Sequence, residues 1–178
     1  MPTLTRRSVV AITVAVTLVV VFGYFITRHW KHSTPVQVGQ VAPNIQTNTV
    51  NGQAFSLASL QGQPVLLDFF TPWCPPCIQE TPDLVSFAKR YGKQIHVVLI
   101  DRGDGTGLVQ DYVKKYSIPA DVTVLLDANN YWSPPYGVSG QPETFFITSN
   151  GTVVRHTVGP LTQPQMVEYA REAGLQTP

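Results

Sequence analysis

The feature that most constrains the fold is an apolar run delivered straight into a proline-flanked cysteine pair. Val65-Leu66-Leu67-Asp68-Phe69-Phe70 is followed at once by Thr71-Pro72-Trp73-Cys74-Pro75-Pro76-Cys77. A run of this length and composition reads as a strand buried on both faces, so other elements must cover it above and below. Pro75 disfavours the helical region for the residue before it, so Cys74 is expected to be extended and to sit near a helix N-cap. Pro75 then suits the first helical position, where a missing N–H costs little. Cys77 falls within the first turn and can reach the Cys74 sulfur. A helix is expected to run from near Cys74 to about Tyr91, with Pro82 kinking it.

The rest of the chain supplies the cover. Asn51-Gly52 is a hairpin-turn dipeptide between short extended runs. Residues 95–100 (IHVVLI) form a second buried strand, a Gly-rich turn covers 102–107, and 108–116 has helical spacing. Residues 122–126 are a third strand. Runs at 144–147 and 152–158 flank Ser149-Asn150-Gly151 as an antiparallel hairpin. Thr162 caps a last amphipathic helix to about Ala173, and Gly174 stops it. Strands alternating with helices, then a hairpin and a helix, give an α/β fold with a central mixed sheet flanked by helices.

The amino-terminal end has a different character. Residues 9–26 (VVAITVAVTLVVVFGYFI) carry no charge and, as a helix at ~1.5 Å per residue, would reach about 27 Å, near the thickness of a bilayer core. Arg6 and Arg7 precede the run, and Arg28, His29, Trp30 and Lys31 follow it. Bulky and basic residues stand where a signal-peptide cleavage site needs small ones, and no cysteine follows to accept a lipid. An uncleaved transmembrane anchor is therefore expected over residues 1–31. Thr5-Arg6-Arg7-Ser8-Val9 also admits reading as a twin-arginine export signal. Either route places the remainder outside the cytoplasm. Residues 32–38, polar with Pro35, read as a linker, and 39–178 as one globular domain.

Charge narrows the partners. The net charge is +1 from 12 basic and 11 acidic residues, and the four basic residues among 1–32 face no acid there. The remainder is thus net acidic, without a basic run interleaved with aromatics, so nucleic acid is not an expected partner.

Cys74 and Cys77 are the only cysteines, too close together to staple a scaffold. A structural zinc site needs four ligands, and the histidines available are His29 and His32 beside the apolar run and the distant His96 and His156. No metal is expected. A helix N-terminus offers partial positive charge and free N–H groups, which favours a thiolate at Cys74. Cys74 is accordingly read as the attacking thiol and Cys77 as the resolving one. Pro76 has no N–H, so of the donors that normally serve an N-cap only the Cys77 amide remains. The expectation is a thiolate less stabilised than in strongly oxidising Cys-x-x-Cys proteins, and a pair poised toward reduction.

Residues 39–178 resemble the thioredoxin-fold, membrane-anchored thiol–disulfide oxidoreductases of the DsbE/ResA/TlpA type. The resemblance is carried by Gly39-Gln40-Val41-Ala42-Pro43, Pro64 through Phe70, and Trp73-Cys74-Pro75-Pro76-Cys77-Ile78-Gln79-Glu80. Tyr136-Gly137-Val138-Ser139-Gly140-Gln141-Pro142-Glu143-Thr144 and Asn150-Gly151 complete it. The 136–144 stretch is particularly similar to the DsbE branch, which supplies reductant for cytochrome c maturation.

By that resemblance Pro142 is a cis-proline whose loop faces the dithiol, against a bland reading as a turn proline. Gln141 then presents backbone to an incoming extended peptide. Glu143 either flanks the pocket or is a solvated strand-end carboxylate. Asp68 matches thioredoxin itself, where the membrane-anchored relatives usually place Asn; it is read as taking the proton of Cys77 during resolution, against an exposed strand-end Asp. Glu80 is one turn after Cys77, either a tuner of the site or an ordinary exposed helix residue. Trp73 is site wall, core or both.

These readings converge on an extracytoplasmic thioredoxin-like reductase. Its substrate is expected to be a disulfide in an exported protein such as apocytochrome c. Electrons reside on the two sulfurs, so no bound cofactor is needed, and the resemblance implies a membrane thiol electron donor that regenerates the dithiol. The rivals are a disulfide-forming oxidase using the same residues in reverse, a peroxidase acting at Cys74, and a non-catalytic copper chaperone, since soft thiolates select Cu(I).

Overall fold

The computed structural model describes residues 12, 15–24 and 34–177. The chain divides into two compact units, Met1–Ser33 and Thr34–Pro178. In the first, residues 15–24 are helical and exposed, and among the described residues no helix is long and apolar enough to cross a membrane. The span expected over residues 9–26 lies in part outside the described residues.

The second unit is built on a seven-stranded mixed sheet. Its strands are β1 (Gln46–Thr49), β2 (Ala54–Ser56), β3 (Val65–Phe70), β4 (His96–Asp101), β5 (Thr123–Leu126), β6 (Glu143–Ile147) and β7 (Val153–Val158), in the order β2-β1-β5-β4-β3-β6-β7. β3 is parallel to β4 and β4 to β5, whereas β6 runs antiparallel to both β3 and β7, and β1 antiparallel to β2 and β5. The helices are α1 (Pro75–Tyr91), α2 (Thr106–Lys115), the single turn α3 (Ser133–Tyr136) and α4 (Gln163–Ala173).

Strand periodicity explains the two layers of core. All six residues of β3 are buried. Leu66 and Phe70 join one cluster with Leu84 and Phe87 of α1, Tyr112 of α2 and Met166 of α4. Val65, Leu67 and Phe69 point the other way, into a cluster with Ile45, Leu57, Tyr136 and Phe145. Asp68 therefore shares the helix-covered face with Leu66 and Phe70. A central strand with both faces covered has no solvent side on which a charged residue can rest, and this is why Asp68 is buried.

Local rules account for the ends of the elements. Thr162 and Gln165 form a capping box at the start of α4, and Gly174 closes it in the left-handed conformation (φ 113°). α1 continues through Pro82. Within the stretch read as a linker Val36 is buried, and its N–H donates to the Pro135 carbonyl (2.9 Å). The turn α3 and the 3-10 turn Leu57–Leu60 are additions to the expected elements. Each is a single turn, too short to show a helical period.

Candidate active site

β3 ends beside α1, and the connection between them places Cys74 at the N-cap, extended at φ −73° and ψ 116°. Pro75 and Pro76 occupy the first helical positions, so neither contributes an N–H. The Cys77 amide donates to the Cys74 sulfur over 3.3 Å, the one cap bond the two prolines leave possible. The Ile78 N–H closes the first helical turn on the Cys74 carbonyl (3.0 Å). Both cysteines are free thiols, each 3% exposed.

The opposite wall is the loop before β6. The Gln141–Pro142 peptide bond is cis, and the Cys74 thiol donates to the Gln141 carbonyl at 3.6 Å. Two residues 67 positions apart in sequence thus meet at the reactive sulfur. Trp73 stands at the surface, 60% exposed, with its indole N–H donating to Asp104 Oδ1 (3.2 Å). It is wall rather than core.

Beside Cys77 lies a small cavity of about 10 Å³, room for at most one water. Asp68, Cys77, Glu80, Thr81 and Tyr112 line it. Thr144 donates its hydroxyl to Asp68 Oδ1 (3.1 Å), but burial dominates and pushes the Asp68 carboxyl up from 3.8 to about 7. Glu80 is not an exposed helix residue: it is 3% exposed and accepts the Leu161 N–H (2.8 Å), tying α1 to the segment before α4. Burial, reinforced by the negative charge of Asp68, raises its carboxyl to about 9. The Cys77 thiol is raised too, first by burial, then by its hydrogen bond with Cys74 and the charge of Asp68. Thr81 donates its hydroxyl to the Cys77 carbonyl (2.7 Å) and also hydrogen-bonds the Tyr112 hydroxyl, which seals the floor.

This arrangement separates two thiols that look alike in the sequence. Cys74 is at a helix N-terminus, against the Gln141 carbonyl of the cis-proline loop. Cys77 is behind it, holding its proton beside two carboxyls that hold theirs more tightly than free carboxyls do. Of the two carboxyls, Asp68 is raised to about 7 and Glu80 to about 9.

Glu143 is not a solvated strand-end carboxylate. It is 1% exposed, and its Oε1 accepts the N–H groups of Ser139 (2.9 Å) and Gly140 (2.8 Å), while Oε2 is 2.8 Å from His156 Nε2. It holds the segment that leads into the cis-proline by the N–H groups of Ser139 and Gly140. Two further features were not foreseen. Arg102 reaches from the end of β4 to the Gly140 carbonyl (2.7 Å). Asp101 accepts the Asp104 N–H (2.7 Å) and is raised by burial to about 7. Arg102 opens a Gly-rich turn whose composition signals only an exposed loop, and no local pattern marks its long-range partners, while Asp101 is the last residue of β4. Among the described residues no group of three or more His, Cys, Asp or Glu is placed to hold a metal ion.

Comparison with known proteins gives this geometry its kin. Thiol-disulfide oxidoreductase ResA of Bacillus subtilis is 28% identical over 166 residues, covering 92% of this chain and 92% of that protein. Among solved structures, a secreted Mycobacterium tuberculosis disulfide oxidoreductase homologous to Escherichia coli DsbE is 31% identical, with a TM-score of 0.65, covering 71% of this chain and 94% of that one. A thioredoxin-family thiol:disulfide interchange protein from Chlorobium tepidum is 28% identical with a TM-score of 0.68, covering 78% and 98%. The AhpC/TSA family model matches residues 38–156, a stretch that contains the cysteine pair, Asp68, Glu80 and the cis-proline loop. The chain belongs to the AhpC/TSA family and is a thioredoxin-like thiol–disulfide oxidoreductase with relatives of the ResA and DsbE type.

Proposed function

We propose that the chain is an extracytoplasmic reductase that delivers electrons from the Cys74–Cys77 dithiol to disulfides in exported proteins, apocytochrome c among them. The observation that carries this reading is the proline-restricted cap. The Cys74 sulfur accepts a single helix N–H, so the reduced form gains less from the helix terminus than it would with a full set of donors. Proteins that oxidise their clients do so because their reduced form is unusually stabilised. A modest cap points the other way.

In the proposed cycle the Cys74 thiolate attacks one sulfur of the client disulfide, forming a mixed disulfide and releasing the other client sulfur as a thiolate that takes up a proton. Cys77 then gives its proton to Asp68, directly or through the single water the cavity admits, and its thiolate attacks the Cys74 sulfur. The client leaves with both sulfurs reduced and the enzyme keeps the disulfide. The exchange needs no bound cofactor, since the electron pair moves between sulfurs. A membrane thiol donor restores the dithiol. The uncharged run at 9–26 with its basic flanks supports anchoring, and the secreted M. tuberculosis relative supports a site outside the cytoplasm.

The test is a trap. The Cys77→Ser protein, mixed with a peptide closed by a Cys-x-x-Cys disulfide, is expected to accumulate a mixed disulfide at Cys74 that the wild type does not retain. Absence of the adduct, or an adduct that forms equally in Cys74→Ser, would overturn the assignment of the two thiols.

A further inference from the structure

We propose that Arg102 is a positioning residue that holds the cis-proline loop in its peptide-receiving shape, and thereby sets a preference for peptide disulfides over small ones. The inference rests on the reading that Gln141 presents its backbone to the client.

Arg102 follows β4, and its backbone N–H donates to the Phe70 carbonyl (3.0 Å), which ties it to the end of the strand that leads into the cysteines. Its half-buried side chain turns away from that strand toward two other segments. Nε donates to Ser133 Oγ (3.0 Å) and Asn130 Oδ1 (3.3 Å), and Nη1 to the Gly140 carbonyl (2.7 Å) and the Gln141 side-chain oxygen. All four acceptors are neutral. The ion pairs seen among the described residues are Arg155–Glu172 and His156–Glu143, so Arg102 spends its charge on the loop although Asp101 and Asp104 are close in sequence.

The grip is two-sided. The Gly140 N–H is held by the Glu143 carboxylate and the Gly140 carbonyl by the Arg102 guanidinium. Hydrogen bonds with one ionised partner are roughly twice as strong as neutral ones. The next carbonyl along, that of Gln141, is the one facing the Cys74 sulfur. Removing the guanidinium leaves Gly140 held on its amide side alone, so the loop samples shapes that cannot pair with an extended chain. Apparent affinity for a peptide falls by the fraction of time the competent shape is lost. A small disulfide needs only the sulfur to be reachable, so its reduction does not depend on the loop's backbone.

The experiment compares wild type, R102A, R102K and S133A as full chains in detergent micelles. The probes are a peptide closed by a Cys-x-x-Cys disulfide and hydroxyethyl disulfide, with thermal melts alongside. For R102A the peptide KM is expected to rise about tenfold while kcat and hydroxyethyl disulfide reduction stay within about twofold. R102K restores part of the peptide KM through one donor, and S133A, which loosens the guanidinium without removing it, shifts it less and in the same direction. Parallel losses on both probes, or an unchanged peptide KM in R102A, would overturn the assignment while leaving the exchange reading intact. A wild type that reduces hydroxyethyl disulfide but not the peptide would overturn both.

Discussion

Replacing Asp68 by Asn should stabilise the protein, and only at higher pH. The native fold raises the carboxyl from 3.8 to about 7, chiefly through burial. Well below 3.8 the carboxyl is protonated in both the folded and the unfolded chain and contributes no difference. As pH rises, the unfolded chain loses the proton first, so the native state binds more protons than the unfolded state and stability falls. The loss is complete once pH passes the folded value. Moving a carboxyl from 3.8 to about 7 costs about 4 kcal/mol at ~1.4 kcal/mol per pH unit. Glu80 shares part of the repulsion, so the expected gain from Asp68→Asn is roughly 2–4 kcal/mol at pH 8 and close to nil at pH 4. Asn keeps the acceptor that the Thr144 hydroxyl uses. Urea unfolding of the reduced full chain in micelles, at pH 4, 6 and 8, reads the difference as a shift in midpoint at constant slope. A shift of equal size at pH 4 and pH 8, or an Asn variant less stable at pH 8, would refute the burial argument. The same variant lacks the proton acceptor for Cys77 and should slow release of the client from the mixed disulfide on the order of 100-fold.

Three further outcomes follow from the same geometry. At pH 8 a small alkylating reagent should label Cys74 and leave Cys77 largely unmodified, because burial and the neighbouring negative charge hold the Cys77 proton; mass spectrometry showing equal labelling would contradict the division between the thiols. Glu143→Ala strips partners from the N–H groups of Ser139 and Gly140 and from His156, and should cost about 1–3 kcal/mol in urea unfolding; a loss below about 0.5 kcal/mol would mean the loop does not rely on it. Glu80→Gln keeps an acceptor for the Leu161 N–H and removes a carboxyl raised from 4.5 to about 9, so its stability relative to wild type should grow progressively as pH rises from about 4.5 to about 9, whereas Glu80→Ala should be about 1–3 kcal/mol less stable than Glu80→Gln at all pH values.

What was legible in the sequence was whatever short-range chemistry dictates. An apolar run with no polar alternation has to be a doubly covered strand, and Val65–Phe70 is one. Two prolines after Cys74 force the cap that is found, down to its single donor. Thr162 and Gly174 bound α4 because side-chain capping and a left-handed closing residue are local requirements. The cis bond at Pro142 came through family likeness, since the chemistry of the dipeptide does not select it. What stayed illegible depends on tertiary neighbours. Glu143 looked like a strand-end carboxylate because nothing nearby reveals that Ser139, Gly140 and His156 converge on it. Arg102 sits in a polar turn, and its partners lie 28 to 39 residues away. Ser133-Pro134-Pro135-Tyr136 folds as a single helical turn, too short to show a period, that buries Tyr136 against Phe69 and Phe145.

The reduction potential of the Cys74–Cys77 couple tests the central claim most directly. Equilibration of the full chain in micelles against glutathione and dithiothreitol buffers, read by thiol alkylation, should give a value near or below about −250 mV, among thioredoxin-like reductants. Pro76→His, which restores a helix N–H beside the Cys74 sulfur, should move the couple toward the oxidising end. A wild-type value near about −120 mV would make the protein a disulfide donor and contradict the delivery of electrons to exported clients.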